Sequence, residues 1–139
     1  MLETGTPRIA EAIGWGAAVE WLDRHDMKEI HSHINRIASW TAEQISEIDG
    51  ITVYGDPTRG DSSGAVSFLH ESIQSQDLAL LLDEGGFAVR TGHHCAQPLM
   101  DALGVPSTNR ASFWLYNTMD EAEAFVEHLR YVVDRFSDK

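Results

Sequence analysis

Residues 118 to 136 constrain the fold most. Ala122, Phe125, Val126, Leu129, Val132, Val133 and Phe136 recur there at three- and four-residue intervals, the period of a helix with one apolar face. Thr118 and Glu121 occupy the two ends of a capping box, which gives that helix a defined start. Asp120, Glu121, Glu123 and Glu127 fall on its solvated side. A stripe of this length needs a surface to cover it, and the preceding residues supply one. "ITVY" at 51–54 and "AVSFL" at 65–69 read as strands on either side of the turn-rich "GDPTRGDSSG" at 55–64. A shorter helix opens at Ser75, carries Leu78, Leu81 and Leu82, and closes at Gly85 and Gly86. "FAV" at 87–89 reads as a brief strand, "LMDAL" as a helical turn and "RASFWLY" at 110–116 as a further strand.

The N-terminal part is helical. Thr6 and Pro7 predict an N-cap followed by proline at the first helical position, with Ile9, Ile13, Ala17 and Trp21 on one face. Gly14 and Gly16 weaken that helix, so they mark an expected close approach of another backbone. A second helix is expected after Asp26, capped with the help of Glu29, striped by Ile30, Ile34, Ile37, Ile45 and Ile48, and ending near Gly50. Trp15, Trp21, Trp40 and Trp114 are expected as packing groups. No repeat or linker divides the chain, and its 139 residues suit one core. The element order predicts an α+β domain over 1–139, a small sheet of three or four strands with helices packed on it.

Charge excludes whole classes of partner. Twenty-two acids against ten Lys plus Arg give a net charge of −12, which disfavours nucleic acid and anionic membrane surfaces. "MLETGTPRIA" lacks the basic start and apolar core of a signal peptide, and no apolar run approaches the roughly 20 residues of a membrane span. A cytoplasmic location is the expectation, in keeping with a single cysteine that cannot form an internal disulfide.

That cysteine, Cys95, sits in "FAVRTGHHCAQPL" at 87–99. His93, His94 and Cys95 are consecutive, so their side chains diverge rather than converge on a tetrahedral metal, and His31 and His33 lie on different helix faces. A metal site is not expected. Arg90, His93 and His94 are cationic neighbours of the kind that make a partly exposed thiol reactive. The competing reading is a small buried hydrophobe, and the local chemistry leaves both open. Neither cysteine-protease signature, "QAC" nor "CGSC", is present, and no oxyanion hole is apparent.

"RTGHHCAQPLMDALGVPSTNRASFWLYNTMDE" closely resembles the C-terminal part of the group II, SufS-like cysteine desulfurases and selenocysteine lyases of the class V aminotransferase family. "ETGTPRIAEAIGWGAAVEWL" resembles the same family's "GTP" motif and following helix, so the resemblance runs from Thr4 to the last helix. It implies the small C-terminal domain of a fold-type I pyridoxal phosphate (PLP) transferase. It also implies the family's chemistry, in which PLP on a lysine acts as electron sink and a protein thiolate takes sulfur from cysteine as a persulfide for iron–sulfur cluster assembly, releasing alanine. Cys95 stands at the position of that nucleophile and Arg110 at that of the arginine holding the substrate carboxylate. Arg90 matches a second active-site arginine, and His94 is placed with the substrate-binding residues. Gly5 and Thr6 match the pair that reaches the cofactor phosphate of the neighbouring subunit in the family's homodimer, a role suited to a helix start.

The family's PLP-binding large domain has no counterpart among these residues. The only lysines are Lys28, in the polar part of the second helix, and the terminal Lys139. The expectation is therefore a C-terminal fragment, with Met1 the start of a fragment or of an incomplete gene. Its partners are expected to be the missing N-terminal domain, a second copy and a SUF-type sulfur acceptor. PLP is expected in the parent enzyme but not on this chain alone, which is expected to be inactive and to self-associate. The alternative is a free-standing sulfur carrier or interaction module that uses no PLP.

Overall fold

The computed structural model describes residues 5–56 and 63–136; Met1, Thr4, the middle of the expected 55–64 turn and Lys139 lie outside them. In order, the chain forms α1 (Ile9–Leu22), α2 (Met27–Ser46), β1 (Ile51–Tyr54), β2 (Ala65–His70), α3 (Ser75–Glu84), β3 (Arg90–Gly92), α4 (Gln97–Leu103), β4 (Thr108–Ser112) and α5 (Met119–Phe136). The strands make one antiparallel sheet ordered β1-β2-β4-β3. The fold is α+β, as the element order predicts.

Side-chain alternation divides the sheet into two faces. Along β2, Val66, Phe68 and His70 are buried while Ala65, Ser67 and Leu69 are half-buried on the opposite side. The Phe68 face is covered by α2, α3 and α5, whose stripes supply Ile45, Leu78, Leu82, Phe125, Leu129 and Val132 to one core. The other face carries Ser67 and Arg110, directly paired across β2 and β4. Short α4 lies over that face. No helix among the described residues is long and apolar enough to cross a membrane.

The start of α5 has the reciprocal bonds that its sequence calls for. The Glu121 backbone N–H donates to Thr118 Oγ1 at 3.2 Å, and the Thr118 N–H donates to the Glu121 carboxylate at 2.8 Å. The Thr118 N–H, followed by the Asn117 side chain, holds the Glu121 carboxyl below its ordinary value of 4.5. A carboxylate with a lowered folded pKa stabilises the fold above its unfolded value, and that contribution disappears as pH falls through the folded value. The melting temperature of the wild type should therefore drop more steeply below pH 4.5 than that of Glu121→Gln, measured by circular dichroism. Parallel curves would mean that the carboxylate charge adds nothing to the cap.

Several boundaries differ from expectation. The N-cap of α1 is Arg8 rather than Thr6, with the Ile9 N–H bonded to the Pro7 carbonyl at 2.9 Å. α2 ends at Ser46 rather than near Gly50. The third strand occupies Arg90–Gly92 rather than 87–89, because pairing with β4 starts at Arg90 while Phe87 and Val89 pack against the core from an irregular segment. β4 starts at Thr108, opposite Gly92 of β3, and stops at Ser112, opposite Ala65 where β2 begins; Phe113 to Tyr116 are not in a strand.

α1 departs most. None of its residues is buried, and its apolar groups lie on every side rather than on one face, with Ile13 69% and Trp15 74% exposed. Of the four tryptophans expected to pack, only Trp40 joins the core. Trp15, Trp21 and Trp114 are exposed. A side chain at Gly14 or Gly16 would meet nothing within 4 Å among the described residues, so the close approach expected there is not made.

Candidate active site

The site begins with strand register. Arg90 pairs with Arg110 and Gly92 with Thr108, so the two arginines project from the same sheet face, away from the helical core. Like charges directly opposite one another destabilise a ladder unless an anion lies between or beside them. The sulfur of Cys95 lies beside them as an acceptor, for Arg90 Nη2 donates to Sγ at 3.2 Å and the side chain is exposed. The bland reading of Cys95 as a buried hydrophobe is thereby excluded.

A tight reversal places the thiol there. The Ala96 N–H donates to the His93 carbonyl at 2.8 Å, and the two central residues, His94 and Cys95, have φ of 57° and 63°. Positive φ at both central positions is the signature of a type I′ turn, which ordinarily takes Asn-Gly. A left-handed residue other than glycine costs about 1–2 kcal/mol, so neighbouring contacts must hold this turn.

His94 provides one such contact. Its Nε2 lies 3.1 Å from the Thr108 carbonyl and 2.9 Å from Thr108 Oγ1. A carbonyl only accepts, so Nε2 carries the proton and donates. Nδ1 is buried with no partner among the described residues. Burial holds the His94 pKa below 6.5; the Thr108 carbonyl opposes this, and the charges of Arg110, Arg90 and His93 reinforce it. These influences together favour the neutral imidazole over the imidazolium.

Beside the turn is a cavity of about 480 Å³, walled by Ser67, Thr108 and Arg110 of the sheet and by Leu99, Met100 and Leu103 of α4. Its described lining contains no Asp or Glu, although the chain has 22 acids against ten Lys plus Arg. Arg110 Nε donates to Ser112 Oγ at 3.2 Å, which leaves both terminal amino groups unpaired among the described residues. Two parallel donors in an acid-free hollow match a carboxylate. A larger hollow, about 760 Å³, is walled by Ser75, Thr91 and Ser107 but has no arginine in its described lining; chemistry, not size, selects the site.

The fold thus unites Cys95, Arg90, His94 and Arg110. Gly5 and Thr6 stand apart on an exposed segment outside the cavity wall, and the helix start expected at Thr6 comes at Ile9. Thr108, Ser67 and Tyr54 belong to the site but are not singled out by sequence reasoning. Strand alternation could have found Thr108, because a residue two before Arg110 shares its face.

The five helices and the four-stranded antiparallel sheet have the fold of known cysteine desulfurases, a fold-type I family. The Aminotransferase class-V profile matches residues 1–125. A probable cysteine desulfurase of Halalkalibacterium halodurans is 45% identical over 96% of this chain and 32% of its own length. The cysteine desulfurase of Haloferax volcanii is 42% identical over 90% of this chain and 29% of its own. Among solved structures, the cysteine desulfurase CsdA of Escherichia coli superposes with a TM-score of 0.88 at 34% identity, over 96% of this chain and 33% of that one. The chain belongs to the class-V aminotransferase family and spans about a third of the length of these relatives.

Proposed function

We propose that this chain is the C-terminal domain of a PLP-dependent cysteine desulfurase and contributes the persulfide-forming Cys95 and the substrate-carboxylate arginine Arg110. The observation that carries this reading is the Arg90 Nη2 to Cys95 Sγ contact at 3.2 Å, on the same face as the acid-free cavity at Arg110. The names of the relatives support it.

The described residues do not by themselves fit the cofactor. No lysine lines the Arg110 cavity, and Lys28 is exposed in the first turn of α2, in a separate surface hollow with Glu29 and Arg36. On the proposed reading PLP is held by residues of the enzyme other than those described. What this chain does is narrower. Arg110 holds the carboxylate of cysteine, and the Cys95 thiolate bonds to the substrate sulfur as the substrate C–S bond breaks. Alanine leaves with a proton in place of its sulfur, and the persulfide stays on Cys95. The exposed turn then offers that sulfur to an acceptor protein.

α1 supports a missing partner surface. A helix that is apolar all round belongs in a protein interior, so we assign its cover to the PLP-binding segment and to the second subunit of a homodimer. The isolated chain is expected to self-associate through the same surface.

Purified alone with PLP and cysteine, the chain should release no alanine. Co-expressed with a family segment that supplies the PLP-binding portion, it should release alanine and carry a persulfide on Cys95, read by mass spectrometry. Alanine release by the chain alone, or an assembled and active enzyme whose Cys95 stays unmodified, would overturn the proposal. A persulfide acquired by the isolated chain from an added persulfide donor, with no turnover after assembly, would favour the sulfur-carrier alternative.

A further inference from the structure

We propose that His94 is a positioning residue for Cys95: its Nε2–H, bonded to Thr108 on β4, pins two successive left-handed residues and so keeps the thiol against Arg90. The inference rests on the reading of Cys95 as the reactive thiol and assigns His94 a different part from substrate contact.

The strain of the turn needs an anchor. Neither His94 nor Cys95 is a glycine, and although histidine visits positive φ more often than most residues, two such residues in succession are uncommon. Conformations of this kind persist only where surrounding contacts determine them. Among the described residues, three hold this turn. The Ala96 N–H to His93 carbonyl bond closes it, the Arg90 contact holds Cys95 from β3, and the two-acceptor bond to Thr108 holds His94 from β4. Only the last fixes the turn to the strand that carries Arg110. Because β4 also pairs with β3 through Arg90–Arg110 and Gly92–Thr108, the ring links the turn to the strand that sets the position of Arg90.

The neutral state of the ring suits this role. A neutral imidazole with its proton on Nε2 donates to Thr108 and adds no third positive charge beside Arg90 and Arg110. His93 and these two arginines are the charged or titratable groups acting on it, and all of them disfavour the imidazolium. Thr108 offers an acceptor and a hydroxyl but no charge.

The test uses the full chain, in which Cys95 is the sole cysteine. Alkylation by anionic iodoacetate and by neutral iodoacetamide is measured at one pH, and the ratio of the two rates reports the nearness of a positive charge to Sγ. In the wild type the ratio should exceed that of Arg90→Gln by about fivefold, the Boltzmann factor for a unit charge pair at contact distance in water. His94→Asn tolerates positive φ better than histidine but is too short to reach Thr108, and its ratio should fall to the Arg90→Gln level. His94→Gln extends an amide N–H to about the reach of Nε2 and should restore most of the wild-type ratio.

A role that is only structural, relieving strain at position 94, predicts the opposite order, with His94→Asn at or above wild type. That order, or equal ratios in wild type, His94→Asn and His94→Gln, overturns the proposal. Thermal melts of each variant show whether the fold is intact. Should a His94 variant not fold, Thr108→Val, which removes the Oγ1 acceptor, is expected to lower the ratio partway; an unchanged ratio there counts against the proposal. If the wild type itself matches Arg90→Gln, the reading of Cys95 as an arginine-activated thiol fails, a result separate from the failure of His94.

Discussion

In the assembled enzyme, Cys95→Ala is expected to lower kcat for alanine release by at least about 10³-fold, while Arg110→Ala lowers kcat/KM by about 10- to 100-fold, chiefly through KM. The two residues sit on one sheet face but are asked to do different things. On the proposed reading Cys95 forms the new bond to sulfur, so its loss removes a step and leaves the substrate's carboxylate site intact. Arg110, on the same reading, holds a group that does not react. Its terminal amino groups are unpaired among the described residues and its Nε is tied to Ser112, so removing the side chain costs a charge-assisted contact worth about 1.5–3 kcal/mol. Arg110→Lys keeps the charge but loses the two-pronged geometry and should recover only part of the affinity. Steady-state alanine release across a cysteine series separates the two. Full turnover without the Cys95 thiol would remove this residue from the chemistry. An unchanged KM in Arg110→Ala would mean that the acid-free cavity receives something other than the substrate carboxylate.

Elements with local determinants were legible before the structure. Thr118 and Glu121 announce α5 because the two bonds of the cap join residues three apart, and the alternation of Ala65 to Leu69 is a property of one strand. Boundaries set by distant residues were not. Phe87 to Val89 are as apolar as a strand, yet what makes a strand is a partner, and β4 pairs only from Arg90 onward. The end of β4 at Ser112 is decided in the same way by where its pairing with β2 stops. Within the site, the identities of Cys95, Arg90 and Arg110 could be read in one dimension. The Arg90–Cys95 contact and the His94–Thr108 bond could not, because they depend on a register and on a left-handed turn built without glycine. The tryptophans mark the other boundary of sequence reasoning. Apolar bulk at Trp15 and Trp21 signals that burial is needed, but it does not say whether the covering surface belongs to the same residues.

Phe68→Ala should destabilise the domain by about 3–5 kcal/mol, seen as a lower urea midpoint with little change in slope. Phe68 is fully buried in the second of the four strands, and its ring meets Phe125 of α5 edge-on, with centroids 6.2 Å apart and planes inclined by 64°. Phe125 in turn meets Phe87 at 5.8 Å, so the ring of Phe68 begins a chain of aromatic contacts joining β2, α5 and the approach to β3. Deleting it opens a cavity that a sheet paired on both sides of β2 cannot readily close. A loss of this size is a large share of the about 5–15 kcal/mol that keeps such a domain folded. Ser67→Ala, one residue away on the opposite face, should stay within about 0.5 kcal/mol, because no apolar packing is removed. A Phe68→Ala cost below about 1 kcal/mol would mean that the core beneath β2 collapses around the gap. The consequence reaches the active site through register: Ser67 pairs with Arg110 and Phe68 with Asn109, so the core that seats β2 also seats the arginine on its other face.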